Sequence, residues 1–589
     1  MEYVKYKILS ETVLKGGKAD LVLKNARIID VLTGRIVEGS IVIKDGVILS
    51  VFDPYDRDMK NFPEAGKVID LKNAYVSPGF MDAHLHLEST MVSPAELIAT
   101  ASRYGTTAFI VDPHEAANVS GADGIDYILE QTADSKANVY VMMPSCVPAT
   151  PIDDNGCTFT AEDMKAYLDN DRILGLGEVM DDPAVIYADK SMYDKLELFR
   201  EKNIDGHAPF LPDRELDIYA LAGISTDHEA SSYEYALKEA ERGIHVHIRE
   251  GSAAHNCADI VRGIVKDGIS TDCFSFCTDD KHIEDILREG HIGANIRIAI
   301  KEGLSPIDAY RMATINTART YGLKHLGAIA PGMQADLVVL SDLENVSVID
   351  VYYKGEKIEK TDDISIKPCP DKLKQTMHFK DVTPADFGLK ILSDKTHVIG
   401  IDKKQITTTD FILEIEKTDN YEPCRYEGSE CGSNDPDLTG LLKIAAVERH
   451  KNTGKIGVAL AKGYGLKGGA VASSVSHDSH NIIAIGDSDC DIAIAVNALK
   501  SSEGGYVLVE DGKVFEVLPL PIMGLMSDAG FANVNEKLQR MKKKAYEMGV
   551  DKDIDPFITL SFLALPVIPE IRITPRGLCK LDDSGLNLI

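Results

Sequence analysis

The 589-residue chain contains no Cys-x-x-Cys pair; its ten cysteines are scattered, which argues against a disulfide framework and fits a reducing cytoplasm. The N-terminus, Met1-Glu2-Tyr3-Val4-Lys5, lacks the basic-then-apolar order of a signal peptide. Apolar stretches such as Ile558-Thr559-Leu560-Ser561-Phe562-Leu563-Ala564-Leu565 fall far short of the ~20 residues that cross a bilayer, so a soluble protein is expected. Basic charge is scarce as well: 63 Lys and Arg face 93 Asp and Glu, for a formal net charge of −30. Such a field repels phosphate backbones and anionic lipid. Neither nucleic acid nor membrane is the expected partner, and no internal repeat is visible.

Hydrophobic residues make up 44% and charged residues 26%, which is ordinary for a globular protein and excludes disorder for most of the chain. At ~100–200 residues per domain the length suggests several domains, although an α/β barrel can use ~250 residues as one unit. Residues 20–75 alternate in short strands with an Asp45-Gly46 turn of the kind that closes hairpins. A similar texture returns at 332–360. These flanks, 1–75 and 321–370, are expected to build one small β-sandwich.

Between them, residues 76–320 read as apolar strands each followed by a helix. Eight strands are expected to end near His86, Glu115, Ser145, Val179, Phe210, Glu229, Glu250 and Asp280. The 195 residues from His84 to Asp279, spread over seven intervals, give about 28 per interval, close to the ~30 of a βα unit. The expected fold class is therefore α/β: a (β/α)8 TIM-like barrel with its site at the C-terminal strand ends, the β-sandwich from both flanks, and a C-terminal α+β domain over 371–589. Strands there include Lys455–Leu460, Asn481–Gly486 and Gly505–Val509, with a helix over Asp489–Leu499.

The chemistry-bearing signal begins at Pro78-Gly79-Phe80-Met81-Asp82-Ala83-His84-Leu85-His86. Residues i and i+2 of a strand share a face, so the two imidazoles can clamp one cation. Later strand ends add Asp112-Pro113-His114-Glu115, Gly177-Glu178, Asp205-Gly206-His207, Thr226-Asp227-His228-Glu229 and Thr278-Asp279-Asp280. Any one of these alone is more simply structural. Together they offer imidazole and carboxylate ligands for two divalent metals, with a carboxylate able to bridge.

Other patterns carry less. His245 and His247 repeat the His-x-His spacing, but a structural or substrate-facing role is the simpler reading. His477 and His480 lie in a Ser-rich stretch, where a lid or substrate contact competes with a plain surface loop. Gly463-Tyr464-Gly465-Leu466-Lys467-Gly468 spells GxGxxG without the early βαβ context, so a tight turn is expected. His86-Leu87-Glu88 mimics half of the zinc nucleobase deaminase signature, but Pro423-Cys424-Arg425-Tyr426-Glu427 fails the P-C-x-x-C half. HExxH fails twice, because Asn118 and Ser232 stand where the second histidine belongs.

The first-strand HxH, the single later histidines and the last-strand Asp resemble the amidohydrolase superfamily. Within it, Gly79–Met91, Val111–Val119, Asp205–Pro209 and Ser473–Asn481 resemble the adenine deaminases, and these segments span nearly the whole chain. That resemblance implies hydrolytic deamination of adenine to hypoxanthine and ammonia in the cytoplasm, on a dinuclear centre of Mn(II) or Fe(II), in a homo-oligomer. It also implies metal ligation by His84 and His86 at one metal and by His207 and His228 at the other, with Glu178 bridging and Asp279 as the last-strand ligand. Related binuclear enzymes often bridge with a carboxylated lysine on the fourth strand; no lysine occurs in 173–182, so Glu178 takes that place or no bridge exists.

The chemistry then expected is attack on C6 by a hydroxide generated on the metal, with Asp279 as base and as proton donor to the leaving amine. Glu178 or His114 is the acid at N1, and Glu115 and Asp280 are substrate-contact candidates or solvated loop carboxylates. Two rivals stay open: an amidohydrolase for an N6-substituted adenine or a cyclic amide, and a silent metal-binding scaffold.

Overall fold

In a computed structural model the described residues are all except 1–2, 16, 53–64, 253, 360–363, 365, 404–405, 424–437 and 583–584. The Cys424–Glu427 part of the failed P-C-x-x-C motif, and Met1 and Glu2, lie outside them.

Apolar runs with no polar alternation read as strands covered on both faces. Phe80–Leu85 and Thr106–Val111 are buried at every position. They open a parallel eight-stranded sheet in sequence order, continued by Asn138–Met143, Ile173–Val179, Asn203–Gly206, Thr226–Asp227, His245–Arg249 and Phe274–Cys277. A parallel bridge between Leu85 and Asp279 joins the first strand to the end of the last. The Asp279 amide donates to the His84 carbonyl at 3.0 Å and the His86 amide to the Asp279 carbonyl at 3.4 Å. The closure is what a (β/α)8 barrel requires, and it sets Asp279 against the HxH strand.

Several strands stop before their expected ends. The second ends at Val111, and His114 and Glu115 instead open the helix His114–Ser120; the fifth ends at Gly206 rather than near Phe210. The ladder stops where the chain turns away from its neighbours, so the polar residues sit in the turns beyond it.

Strands from both flanks share one eight-stranded sheet, in which Tyr75–Pro78 pairs with both Ala19–Asp30 and Leu337–Leu340. Its hairpin turn carries Asp45 at φ 49° and Gly46 at φ 76°, the left-handed pair that the Asp-Gly step supplies in a type I′ turn.

The C-terminal region is a mixed eight-stranded sheet with the helix Asp489–Ser501 against it. Here period-two alternation decides the packing. Ile444, Ile483 and Ile485 join a core that also holds Leu85, Leu97 and Phe109 of the barrel, whereas Ala445, Ile482 and Ala484 face the helix residues Ile492 and Val496. One hydrophobic core thus runs through barrel and C-terminal sheet. Ile444→Ala is expected to remove about 2–5 kcal/mol and to lower a single cooperative transition seen by both calorimetry and denaturant; a barrel transition that stays put while a second one moves would contradict the shared core. No helix among the described residues is long and apolar enough to cross a membrane.

Candidate metal centre and active site

His84, His86, His114, Glu178, His228 and Asp279 are all buried, and His207 is half-buried. The two carboxylates organise the histidines. Glu178 turns Oε1 toward His86 Nε2 (3.3 Å) and His114 Nδ1 (3.0 Å), and Oε2 toward His207 Nδ1 (2.7 Å) and His228 Nε2 (3.3 Å). Asp279 Oδ1 lies 3.1 Å from His86 Nε2 and 3.8 Å from His84 Nε2. The backbone at Asp279 is left-handed, φ 55°, a conformation that a non-glycine residue adopts at a cost and that concentrates at functional sites.

A fixed shell supports this cluster. His86 Nδ1 donates to the Asp112 carbonyl at 2.8 Å, which leaves Nε2 as the ring nitrogen facing the centre. The Glu178 amide donates to Asp112 Oδ2 at 2.8 Å. Gly177 permits that contact, since a Cβ there would stand 2.2 Å from Asp112 Oδ2. Arg249 donates from Nη1 to Asp279 Oδ2 at 2.8 Å and to Glu229 Oε1, and from Nη2 to Glu229 Oε2 at 3.2 Å.

Burial alone would raise Glu178, but His114, His207 and His228 hold it well below the usual carboxylate range. Burial is likewise overcome at Asp279 by Arg249, His86 and His228, which hold it low. Burial lowers His207, yet Glu229 and Glu178 prevail and raise it to about 9.

These residues fit a divalent cation. Glu178 Oε1 and His114 Nδ1 are buried and lie 3.0 Å apart without forming a hydrogen bond, and His84 Nε2 faces His86 Nε2 at 3.2 Å, so these ligand atoms crowd one another. Suitable ligand atoms also group as His84, His86 and Asp279, as His84, Glu178 and His228, and as His207, His228 and Glu229. Imidazole and carboxylate donors suit first-row divalent metals.

Of the candidates read from the sequence, the structure brings together His84, His86, His114, Glu178, His207, His228 and Asp279. Glu115 is fully buried and accepts from Ser89 Oγ at 2.7 Å, and the same hydroxyl contacts the half-buried Asp280. His477 and His480 are no surface loop: they are 7% and 0% exposed, with His480 Nε2 3.5 Å from Glu115 Oε2. His245 and His247 turn elsewhere, to Ser275 Oγ (2.7 Å) and the Tyr321 hydroxyl (3.1 Å). The GxGxxG segment leads into the strand Gly469–Ser473 rather than a helix, with Gly463, Gly465 and Gly468 all at positive φ: a turn.

Residues not singled out from the sequence are Arg249, Glu229, Asp112 and Asp478. Arg249 carried a signal, being a cation at a strand end among carboxylates. Asp478 carried none, because it reaches the barrel from almost two hundred positions further along the chain. Its Oδ1 lies 3.5 Å from His114 Nε2.

The site faces a cavity of about 60 Å³, lined on the barrel side by His86, His114, Glu178, His228 and Asp279 and covered by Ile406, His477, Asp478, Phe562, Leu565 and Ile568. Small-molecule pockets usually span ~300–1,000 Å³, so this one is narrow, with apolar residues of the C-terminal domain forming one wall. A bigger cavity, about 830 Å³, is lined by Cys146, Lys195 and neighbours and contains none of the clustered histidines.

Burial alone depresses His245 to about 4. The unfolded chain takes up this proton near pH 6.5 and the folded chain only near 4, so the stability tied to neutral His245 is present above 6.5 and lost as pH falls to 4. In thermal melts, the pH dependence between 6.5 and 4 is expected to flatten in His245→Gln by about 1–3 kcal/mol; parallel curves would count against a neutral, buried imidazole.

A barrel with a histidine and carboxylate cluster at its mouth defines a hydrolase of the amidohydrolase class, and the amidohydrolase family model matches residues 75–358. The chain belongs to the adenine deaminase family: the model described as adenine deaminase C-terminal domain matches residues 423–584. It is 50% identical to adenine deaminase of Desulfitobacterium hafniense (strain Y51), over 95% of both chains. It is 41% identical to that of Clostridium acetobutylicum, over 95% of this chain and 96% of the other, and 38% to that of Bacillus pumilus, over 96% of each.

Proposed function

We propose that this enzyme hydrolyses free adenine to hypoxanthine and ammonia. The observation that carries the reading is the Glu178 carboxylate set between two histidine groups, each oxygen facing a different pair, in a chain of the adenine deaminase family. His84 and His86 would hold one cation, His207 and His228 the other, with Glu178 between them and Asp279 as the last-strand ligand. Mn(II) is the proposed metal, with Fe(II) the alternative.

When bound, the metal pair supplies a water of lowered pKa, hence a nucleophile at neutral pH. Asp279 accepts the proton shed as the new bond to C6 forms, and delivers it to the leaving amine nitrogen. Arg249 fixes Asp279 Oδ2 at 2.8 Å, which aims Oδ1 at the reacting end of the cavity. His114 or Glu178, whose facing atoms lie 3.0 Å apart, supplies the proton that N1 must receive as C6 becomes tetrahedral. Glu115 and Asp280, joined through Ser89, form a polar wall for the ring. Ile406, Phe562, Leu565 and Ile568 exclude bulk water and pack an apolar ring face.

A cytoplasmic homo-oligomer completes the reading; the cysteines of the described residues are free thiols. The test is metal analysis of freshly purified protein beside an ultraviolet assay of adenine conversion with added Mn(II). Adenine consumed and hypoxanthine formed in a metal-dependent way is the expected result. Adenine left unchanged while an N6-substituted adenine or a cyclic amide turns over would replace this reading.

A further inference from the structure

The C-terminal domain does more than cover the site. Its Asp478 is buried and lines the same cavity as His86, Glu178 and Asp279. The two oxygens of this carboxylate have different surroundings. Oδ1 faces His114 Nε2 at 3.5 Å and His477 Nδ1 at 3.8 Å. Oδ2 is buried and has no hydrogen-bond partner. A buried acceptor without a donor is costly, and most such groups in folded proteins are paired. An occupant of the cavity that Asp478 lines could supply the donor that Oδ2 lacks.

The chemistry of a free purine base supplies one. Besides its exocyclic amine, adenine carries a ring N–H on its five-membered half, and substitution at N9 removes it. The carboxylates at the reacting end lie against other charged groups: Asp279 against Arg249 and His86, Glu178 against four histidines. Asp478, on the far side of His114 from Glu178, is free to read the other end of the ring.

We propose that Asp478 is a specificity-determining residue, whose Oδ2 accepts the ring N–H of the bound purine and so selects the free base over N9-substituted purines. The inference rests on the proposed function for its substrate class. A site built to pair a substrate N–H rejects analogues lacking it far more strongly than an apolar pocket does, because its own polar group is then left unpaired.

The test uses the full-length, metal-loaded protein and the variants Asp478→Ala and Asp478→Asn. Turnover is measured for adenine and 9-methyladenine, and calorimetric binding for the unreactive pair hypoxanthine and 9-methylhypoxanthine. In Asp478→Ala, kcat/KM for adenine is expected to fall by roughly tenfold to a hundredfold, mostly through KM, and hypoxanthine affinity by a similar factor. The preference over the 9-methyl compounds should shrink by the same factor. Asp478→Asn keeps the shape and one weaker acceptor, so it should move the same way by less, and it serves if the alanine variant melts early. Unchanged affinity and unchanged preference in both variants overturn the proposal. So does a fall in kcat alone, which would make Asp478 a positioning residue for His114. A wild-type protein that binds hypoxanthine but leaves adenine untouched would sink the functional reading, while the binding comparison still decides the role of Asp478.

Discussion

Asp279→Asn lowers kcat for adenine by about 10²–10⁴-fold, the range of a lost general base, with a smaller effect on KM. The amide keeps the size of the carboxylate and a hydrogen bond to Arg249 or to His86, 2.8 and 3.1 Å away in the native side chain, but it accepts no proton at neutral pH. Because Asp279 is also proposed as a ligand, kcat is to be read beside the metal content of the same preparation. A large fall in kcat at unchanged metal stoichiometry identifies proton transfer, and a fall in proportion to lost metal identifies ligation. Full activity would remove Asp279 from the mechanism altogether.

Glu178→Gln is expected to do still more damage, because it strikes both halves of the centre. Removing a partner that merely orients a ligand costs about 10–100-fold in metal affinity, and a carboxylate between two sites should cost at least that at each. The substitution also takes the charge away from His86, His114, His207 and His228, all within 3.3 Å of it. The expected outcome is protein that folds, retains at most one weakly held metal per chain, and has lost activity by more than a thousandfold, ~4 kcal/mol of transition-state stabilisation. Elemental analysis after gel filtration reads the first effect and the adenine assay the second. Wild-type metal stoichiometry in Glu178→Gln would show that no bridge passes through this residue.

Much of the barrel was legible because its signals are local. Alternating strand and helix texture at about thirty-residue spacing reflects the period of a βα unit, and eight parallel strands in sequence order follow from it. His84 and His86 share a face because a strand has period two. Strand ends were less legible: Asp112-Pro113-His114-Glu115 and His207-Ala208-Pro209-Phe210 read as the polar tips of strands, but the ladders stop at Val111 and Gly206, where the chain leaves its neighbours.

Surroundings were the least legible. Nothing near His477 or His480 announces burial; a Ser-rich polar stretch looks the same whether it meets solvent or a barrel mouth. It is buried because the isoleucines of the C-terminal strands share a core with the barrel, and that shared core carries the stretch onto Glu115 and His114. Arg249 tells a similar story: a strand-end arginine becomes significant only when Glu229 and Asp279 are found on either side of it.

The sequence by itself therefore determined the acidic character, the βα repeat and the histidines and carboxylates at successive strand ends, since each depends on composition or on neighbours a few residues apart. Only the tertiary structure decided that Asp279 closes against the first strand, that Glu178 turns one oxygen to each histidine group, and that Asp478 completes the cavity. These are contacts between segments up to several hundred positions apart in the chain, and they exist only once the barrel closes and the C-terminal sheet packs its apolar face upon it.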